Sequence, residues 1–193
     1  MIVIDDGSSD NTAAAITAFR DPKIRKIYNP NNLGKGGAVF NGIQMAKGDI
    51  LLFCDADLAT LSPKHINEII DTFEKGGYDM VIAATETATG WWNHLMALVS
   101  GQRIMYRKNI LPYLNMMATS GNGMEQITNC AHSKLKVKII VSLGVGHILK
   151  YQRDNHILGT LSYIPEAYEF LKAEIALRTL KFRQPLTTLK GGI

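Results

Sequence analysis

The chain has only two cysteines, Cys54 and Cys130, and neither stands at metal-ligand spacing. A disulfide framework is therefore excluded, and because Cys54 falls inside a predicted core strand the expectation is a reduced, cytosolic protein. Nowhere are there the roughly 18 consecutive apolar residues that a spanning helix needs, nor a signal peptide's basic start and apolar run. The expectation is a soluble or peripheral chain. Blocks of lysine or arginine are lacking too. The formal net charge of +4 suits an anionic substrate or a membrane surface and falls short of a nucleic-acid footprint. Repeats and low-complexity segments are absent, and an apolar fraction of 46% over 193 residues argues for one ordered domain with a sizeable core. Also missing is any lead-in to the fold. Met1 opens directly on the strand Ile2-Val3-Ile4, a start that reads as incomplete.

What is present reads as alternating strands and helices. Ile2-Val3-Ile4 runs into Asp5-Asp6-Gly7-Ser8-Ser9-Asp10, where Ser8, Ser9 or Asp10 caps a helix to about Phe19 with Ala15, Ile16 and Phe19 inward. A strand over Ile24 to Tyr28 and a turn at Asn29-Pro30-Asn31-Asn32 follow. Gly34-Lys35-Gly36-Gly37 opens a helix bearing Val39, Ile43 and Ala46, closed by Gly48. Ile50-Leu51-Leu52-Phe53-Cys54 is a buried strand ending in Asp55-Ala56-Asp57. Strand alternation would point Asp55 and Asp57 to one side, able to share a hard divalent cation. A plain acidic turn is the alternative. Ser62-Pro63 caps a helix with the stripe Ile66, Ile69, Ile70 and Phe73, ended by Gly76-Gly77, and Met80 to Ala84 is another strand.

Farther on, Trp91, Trp92, Leu95, Met96 and Leu98 suggest a short amphipathic helix, Ser100-Gly101-Gln102-Arg103 a turn or strand entry, and Ile104 to Leu114 a strand-to-helix passage. A helix over Met124 to Ser133 and a strand over Val137 to Leu143 complete the sheet, and Pro165 starts a last helix with Phe170, Ala173, Leu177 and Leu180 on one stripe. This order predicts an α/β fold, Rossmann-like, with a mainly parallel sheet and flanking helices. Ligands in such sheets bind beyond the carboxyl ends of the strands, where both acidic clusters fall.

Four patterns in order, Val3-Ile4-Asp5-Asp6-Gly7-Ser8-Ser9-Asp10, Asn32-Leu33-Gly34-Lys35-Gly36-Gly37-Ala38, Asp55-Ala56-Asp57-Leu58 and Ser100-Gly101-Gln102-Arg103, resemble family-2 glycosyltransferases of the GT-A fold. The resemblance runs from Met1 to about Lys150 and is nearest to bacterial members that glycosylate polyprenyl phosphates or phosphoglycerate. It implies a metal-dependent transferase moving a sugar from a nucleotide sugar, a uridine one, to a phosphate-bearing acceptor that is lipid-linked or a small metabolite. Residues 1–150 would be the catalytic domain, and residues 151–193 a helical extension packed on it or resting at a membrane surface.

By that resemblance Asp5 and Asp6 hold base and ribose, and Lys35 approaches the donor phosphates. A capping turn and a plain loop-to-helix passage are the alternatives. Asp55 and Asp57 would hold Mg²⁺ or Mn²⁺ on the donor diphosphate, with His147 a third ligand or else a structural histidine. Arg103 would face the acceptor or the diphosphate, or form a surface salt bridge; Arg107 is a further candidate. Glu125, in Gly121-Asn122-Gly123-Met124-Glu125, would act as base or acceptor-positioning group, or merely as a first-turn glutamate.

Two departures from the family pattern stand out. Members begin with a strand carrying a Pro-x-x-Asn-Glu type segment, which this chain lacks, so that one wall of the donor pocket and a central strand are missing. The interval from Ala84 to Ser100 is also short for polyprenyl-phosphate enzymes, which counts against a lipid acceptor. A non-catalytic remnant or partner-binding module is therefore the rival to a cytoplasmic-face enzyme of cell-envelope or glycan biosynthesis. A homo-oligomer in which another copy fills the gap is compatible with both. A sugar nucleotidyltransferase would carry a basic glycine-rich loop after its first strand, where this chain has Asp5-Asp6-Gly7-Ser8.

Overall fold

The computed structural model describes residues 1–58, 60–85 and 97–142. Its strands fall into two pieces of sheet. β1 (Ile2–Asp5) pairs in parallel with β2 (Arg25–Tyr28), Ile2 opposite Arg25 and Asp5 opposite Tyr28. β3 (Ile50–Phe53), β4 (Met80–Thr85), β5 (Arg103–Tyr106) and β6 (Val137–Ser142) make a four-stranded sheet in the order β3-β5-β4-β6. β4 and β6 are parallel, while β5 runs antiparallel to both β3 and β4. The α/β layering is as expected, with one reversal inside it. Residues 100–102 explain that reversal: Ser100 Oγ lies 2.6 Å from the Ala83 carbonyl and Ala83 N–H donates to the Gln102 carbonyl at 3.0 Å. β5 thus begins beside Ile82 and Ala83 and runs back along β4.

The helices are α1 (Thr12–Ala18), α2 (Gly34–Met45), α3 (Pro63–Gly76), α4 (Arg107–Ile110), α5 (Leu114–Ala118) and α6 (Met124–Ala131). α3 begins as its sequence dictates, with proline in the first turn after Ser62 and Ser62 N–H donating to His65 Nδ1 at 3.1 Å. It ends at Gly77, whose φ of 56° is the left-handed conformation that glycine adopts without penalty.

β4 shows why two layers form. Its side chains alternate faces, so Val81 and Ala83 pack with Ile69 and Phe73 of α3 and with Ile104, while Met80, Ile82 and Ala84 face Ile43, Met105, Met117, Met124 and Ile127. Each fully buried Ile or Phe contributes about 1.5–3 kcal/mol. α2 ties the two sheet pieces together. Ile4 of β1 presses on Gly42, and Ile43 joins the cluster that holds Leu51 of β3.

Among the described residues β1 and β3 each keep one edge without a strand partner. The edge position also corrects the reading of β3 as wholly buried: Leu51 is buried but Ile50 is 42% exposed. β3 stops at Phe53, which faces Arg103 at the end of the β5 ladder, so Cys54 lies beyond the strand and is exposed. α1 differs as well. It has no buried residue and Phe19 is 62% exposed, because a two-stranded β1–β2 piece offers a helix little surface to cover. Ser8 and Ser9 do not cap it; Asp10 Oδ1 accepts from Thr12 N–H at 2.9 Å. The expected Trp91–Met96 stripe, the Pro165 helix, the extension over residues 151–193 and His147 lie outside the described residues. No helix among the described residues is long and apolar enough to cross a membrane.

Candidate active site

The Lys35 side chain joins three separate motifs. From the first turn of α2 its Nζ lies 2.6 Å from Asp55 Oδ1, just past β3, and 2.7 Å from Glu125 Oε1 in the first turn of α6. Burial by itself would pull the ammonium down, but attraction to Glu125 and Asp55 and hydrogen bonds to both outweigh it and raise the Lys35 pKa. Lys35 is therefore charged at neutral pH.

The backbone brings α2 to this point through close approach. Gly36 N–H donates to the Gly121 carbonyl at 2.6 Å, and a Cβ on Gly36 would collide with Ser120 Oγ and sit 2.6 Å from the Met117 carbonyl. Only glycine fits there. Asp6 fixes the preceding loop: its carboxylate accepts from Leu33 N–H at 3.1 and 3.2 Å and from Asn29 Nδ2 at 2.7 Å. Asn29 is in turn held by Asn41 Nδ2 at 2.9 Å. The first acidic cluster thus lies two residues of chain away from Lys35 through Leu33. Asp5 is 5% exposed and its Oδ1 accepts from Ser8 N–H at 3.1 Å, the capping-turn arrangement. Asn29 and Asn41 went unassigned in the sequence because Asn-rich turns are common; the burial of Asn29 is what marks it.

The glycine-rich loop is tied into the protein through its backbone. Three of its amides already have acceptors: Leu33 on Asp6, Gly34 on Asn32 Oδ1 at 2.9 Å, and Gly36 on Gly121. The Lys35 side chain, and not a cradle of these amides, is what this loop presents.

Asp55 is positioned from three sides. Besides Lys35, Gln102 Nε2 donates to its Oδ2 at 3.0 Å, and Gly101 lies flush against the carboxylate so that a Cβ would collide with both oxygens. Gln102 Oε1 lies 2.8 Å from Ser100 Oγ, which keeps the amide oriented. Gln102 was the unread member of Ser-Gly-Gln-Arg; its signal was a polar side chain one residue from a strand that had to be buried. The Asp55 and Asp57 pair does not owe its placement to strand alternation, since β3 ends at Phe53 and residues 56 and 57 form a turn. Asp57 is exposed and Asp55 partly so.

Arg103 is not where an acceptor contact would need it. It is 0% exposed, and its guanidinium is consumed inside the protein. Nε donates to the Ser100 carbonyl at 2.6 Å, Nη2 to Leu98 at 2.7 Å, and Nη1 to Thr128 Oγ1, Asn129 Oδ1 and the Glu125 carbonyl at 2.8, 2.6 and 3.3 Å. Burial pushes its pKa down to about 10 against the pull of Glu125 and Asp55, which leaves it charged at neutral pH. It fastens the start of α6, hence Glu125, to the start of β5. Arg107 is partly buried and its Nε has no partner.

The donor set suits a hard cation. Asp55 and Asp57 would supply carboxylate oxygens to such an ion, and each bonded oxygen of Asp55 retains acceptor capacity. Among the described residues no three His, Cys, Asp or Glu side chains gather. Two protein carboxylates with the remaining positions left to ligand oxygens and water is the pattern by which Mg²⁺ is usually held.

Comparison with known proteins identifies the family and the fold. The sequence profile of glycosyl transferase family 2 matches residues 1–124. A dolichyl-phosphate beta-glucosyltransferase of Trichomonas vaginalis is 48% identical over 62 residues, 31% of this chain and 18% of its own length. An undecaprenyl-phosphate 4-deoxy-4-formamido-L-arabinose transferase of Proteus mirabilis is 29% identical over 126 residues, 64% of this chain and 34% of its own length. The chain thus spans between about a fifth and a third of these two relatives. The Mycobacterium tuberculosis glucosyl-3-phosphoglycerate synthase, solved with Mn²⁺, UDP-glucose and glycerol 3-phosphate, superposes with a TM-score of 0.66 at 19% identity, covering 91% of this chain and 68% of that one. At that identity the likeness establishes the GT-A fold.

Proposed function

Because the chain belongs to glycosyl transferase family 2, we propose that it is part of an enzyme that transfers a sugar from a uridine diphosphate sugar to a phosphate-bearing acceptor, using Mg²⁺ or Mn²⁺ at Asp55 and Asp57. The observation that carries this reading is the Lys35 junction, in which one cation meets Asp55 at 2.6 Å and Glu125 at 2.7 Å. That Lys35, Asp55 and the buried Glu125 meet at one point supports the reading, since an ammonium suits phosphate oxygens and a carboxylate suits a hard cation.

The roles follow from exposure and partners. Asp6, the less buried of the first pair, is the nucleotide contact, and Asp5 anchors the turn beneath it. A carboxylate accepts hydrogen bonds from ribose hydroxyls and a uracil imide with capacity beyond its loop bonds. Lys35 holds the donor diphosphate. A divalent cation bound at Asp55 and Asp57 supplies charge neutralisation for the departing nucleoside diphosphate. Gln102 orients Asp55, and Arg103 holds the backbone of Glu125. Glu125 positions the acceptor. An acceptor phosphate monoester, with a second pKa of about 6, is largely ionised at neutral pH and needs no base.

The named relatives are a dolichyl-phosphate glucosyltransferase and an undecaprenyl-phosphate arabinose-derivative transferase, which supports a polyprenyl phosphate as acceptor. The solved synthase was crystallised with a small phosphate ester and UDP-glucose, which supports the uridine donor. A second reading, a partner-binding module without transfer, has in its favour the edges of β1 and β3 that carry no strand partner among the described residues.

Calorimetric titration with UDP-glucose in the presence and absence of Mn²⁺, followed by turnover with polyprenyl phosphate, tests the proposal. Mn²⁺-dependent donor binding that disappears in Asp57→Ala, together with sugar transfer, is the expected result. Donor binding without transfer supports the second reading, and no binding with or without Mn²⁺ overturns the enzyme.

A further inference from the structure

We infer that Lys35 is a built-in counter-cation which competes with the divalent ion for Asp55, so that metal entry and release of Lys35 are one exchange step. The inference rests on Asp55 being a metal ligand, as proposed above. Its basis is geometric. Lys35 Nζ sits within hydrogen-bond distance of Asp55 Oδ1 and of Glu125 Oε1, two carboxylates from elements far apart in sequence, with side-chain exposures of 21% and 6%. No other ammonium or guanidinium among the described residues forms an ion pair with either carboxylate. Arg103 approaches Glu125 only through its backbone carbonyl.

Like charges exclude one another at this range. An ammonium and a divalent cation on one carboxylate repel with a force that partial burial leaves poorly screened. Asp55 cannot turn away to relieve the conflict, because Gln102 holds its Oδ2 and Gly101 blocks its back. Lys35 can move: its four-carbon stem is flexible, and its side chain is 31% exposed. The carboxylate is thus the fixed partner and the ammonium the movable one. Once displaced, Lys35 keeps Glu125 and has donors to spare for diphosphate oxygens. Metal and diphosphate binding therefore reinforce each other through this side chain, each favouring the state in which Lys35 has left Asp55.

Mn²⁺ titration of the nucleotide-free chain, read by the paramagnetic resonance signal of free Mn²⁺, tests the exchange without using activity. Lys35→Met, which keeps the stem and removes the charge, is expected to bind Mn²⁺ at least about tenfold more tightly than the wild type. Lys35→Arg is expected to stay near wild type. Glu125→Gln leaves Lys35 with Asp55 as its one charged partner and is expected to weaken Mn²⁺ several-fold. Unchanged or weaker Mn²⁺ binding in Lys35→Met overturns the exchange while leaving the metal site standing. Should Lys35→Met not fold by circular dichroism, Glu125→Gln decides, and Mn²⁺ affinity equal to wild type overturns the exchange. Failure of both wild type and Lys35→Met to bind millimolar Mn²⁺ overturns the metal reading, and the exchange with it.

Discussion

Gln102 Nε2 donates to Asp55 Oδ2 across 3.0 Å, joining residues 47 positions apart and giving the carboxylate one fixed orientation. Gln102 is itself 2% exposed, so the bond lies where water does not replace it cheaply. Gln102→Ala should cost about 1–3 kcal/mol in urea unfolding. It should also weaken Mn²⁺ by about 10-fold or more, the usual effect of losing a residue that orients a ligand. Equal midpoints and equal Mn²⁺ affinity in the two proteins would show that Asp55 needs no such support.

Arg103 separates two roles by experiment. A guanidinium that met the acceptor would, when replaced, raise KM and leave stability alone. One that is fully buried with all three nitrogens bonded to protein oxygens should do the reverse. Arg103→Met leaves the Ser100 carbonyl and Thr128 Oγ1 without their donor, while Leu98 keeps Asn129 Nδ2, and should cost about 1–3 kcal/mol for each buried acceptor left unpaired, with Arg103→Lys recovering only part because a lysine cannot reproduce the planar fork. A Met variant with wild-type thermal midpoint and a raised KM would return Arg103 to the acceptor.

These residues also show what could be read from the sequence. Asp55 and Lys35 were legible because their motifs carry chemistry in local patterns, and the layers were legible because apolar periodicity marks faces; the Ile69 and Phe73 stripe of α3 is buried as written. Arg103 was not legible in its role, since a fork that satisfies five oxygens is defined by groups at residues 98, 100, 125, 128 and 129, which no local pattern links. The end of β3 at Phe53 was missed for the same reason. A strand stops where its ladder partner turns away, and here the partner turns at Gly101 and Gln102.

Gly36→Ala tests the contact that delivers Lys35. The added Cβ would meet Ser120 Oγ and the Met117 carbonyl, and a backbone oxygen cannot step aside as a flexible side chain would. Helix propensity alone predicts that alanine stabilises α2 by about 0.8–1 kcal/mol. Overpacking should reverse that sign and destabilise by about 1–3 kcal/mol. Donor affinity should fall with it, since α2 carries Lys35 away from Asp55. Chemical denaturation beside UDP-glucose titration gives both numbers, and a stabilised variant would mean that α2 and the Met117–Gly121 turn are not in contact.

His132 predicts how stability depends on pH. It is 1% exposed, Nδ1–H donates to the Thr128 carbonyl at 2.8 Å, and Nε2 faces Asn109 Nδ2 at 3.4 Å, a pairing that suits the neutral ring. Burial lowers its pKa below 6.5; the Thr128 carbonyl and Asp79 oppose that shift, and Arg103 adds to it. The unfolded chain therefore takes up a proton on this ring before the folded one does. Stability from His132 is complete above about pH 6.5 and is lost as pH falls through the folded value, by at most about 1.4 kcal/mol per pH unit. Urea unfolding at pH 7.5 and 5.5 should show the loss in wild type and a smaller one in His132→Gln, which keeps a side-chain donor without a titrating ring. Equal losses in the two proteins would place the acid sensitivity elsewhere.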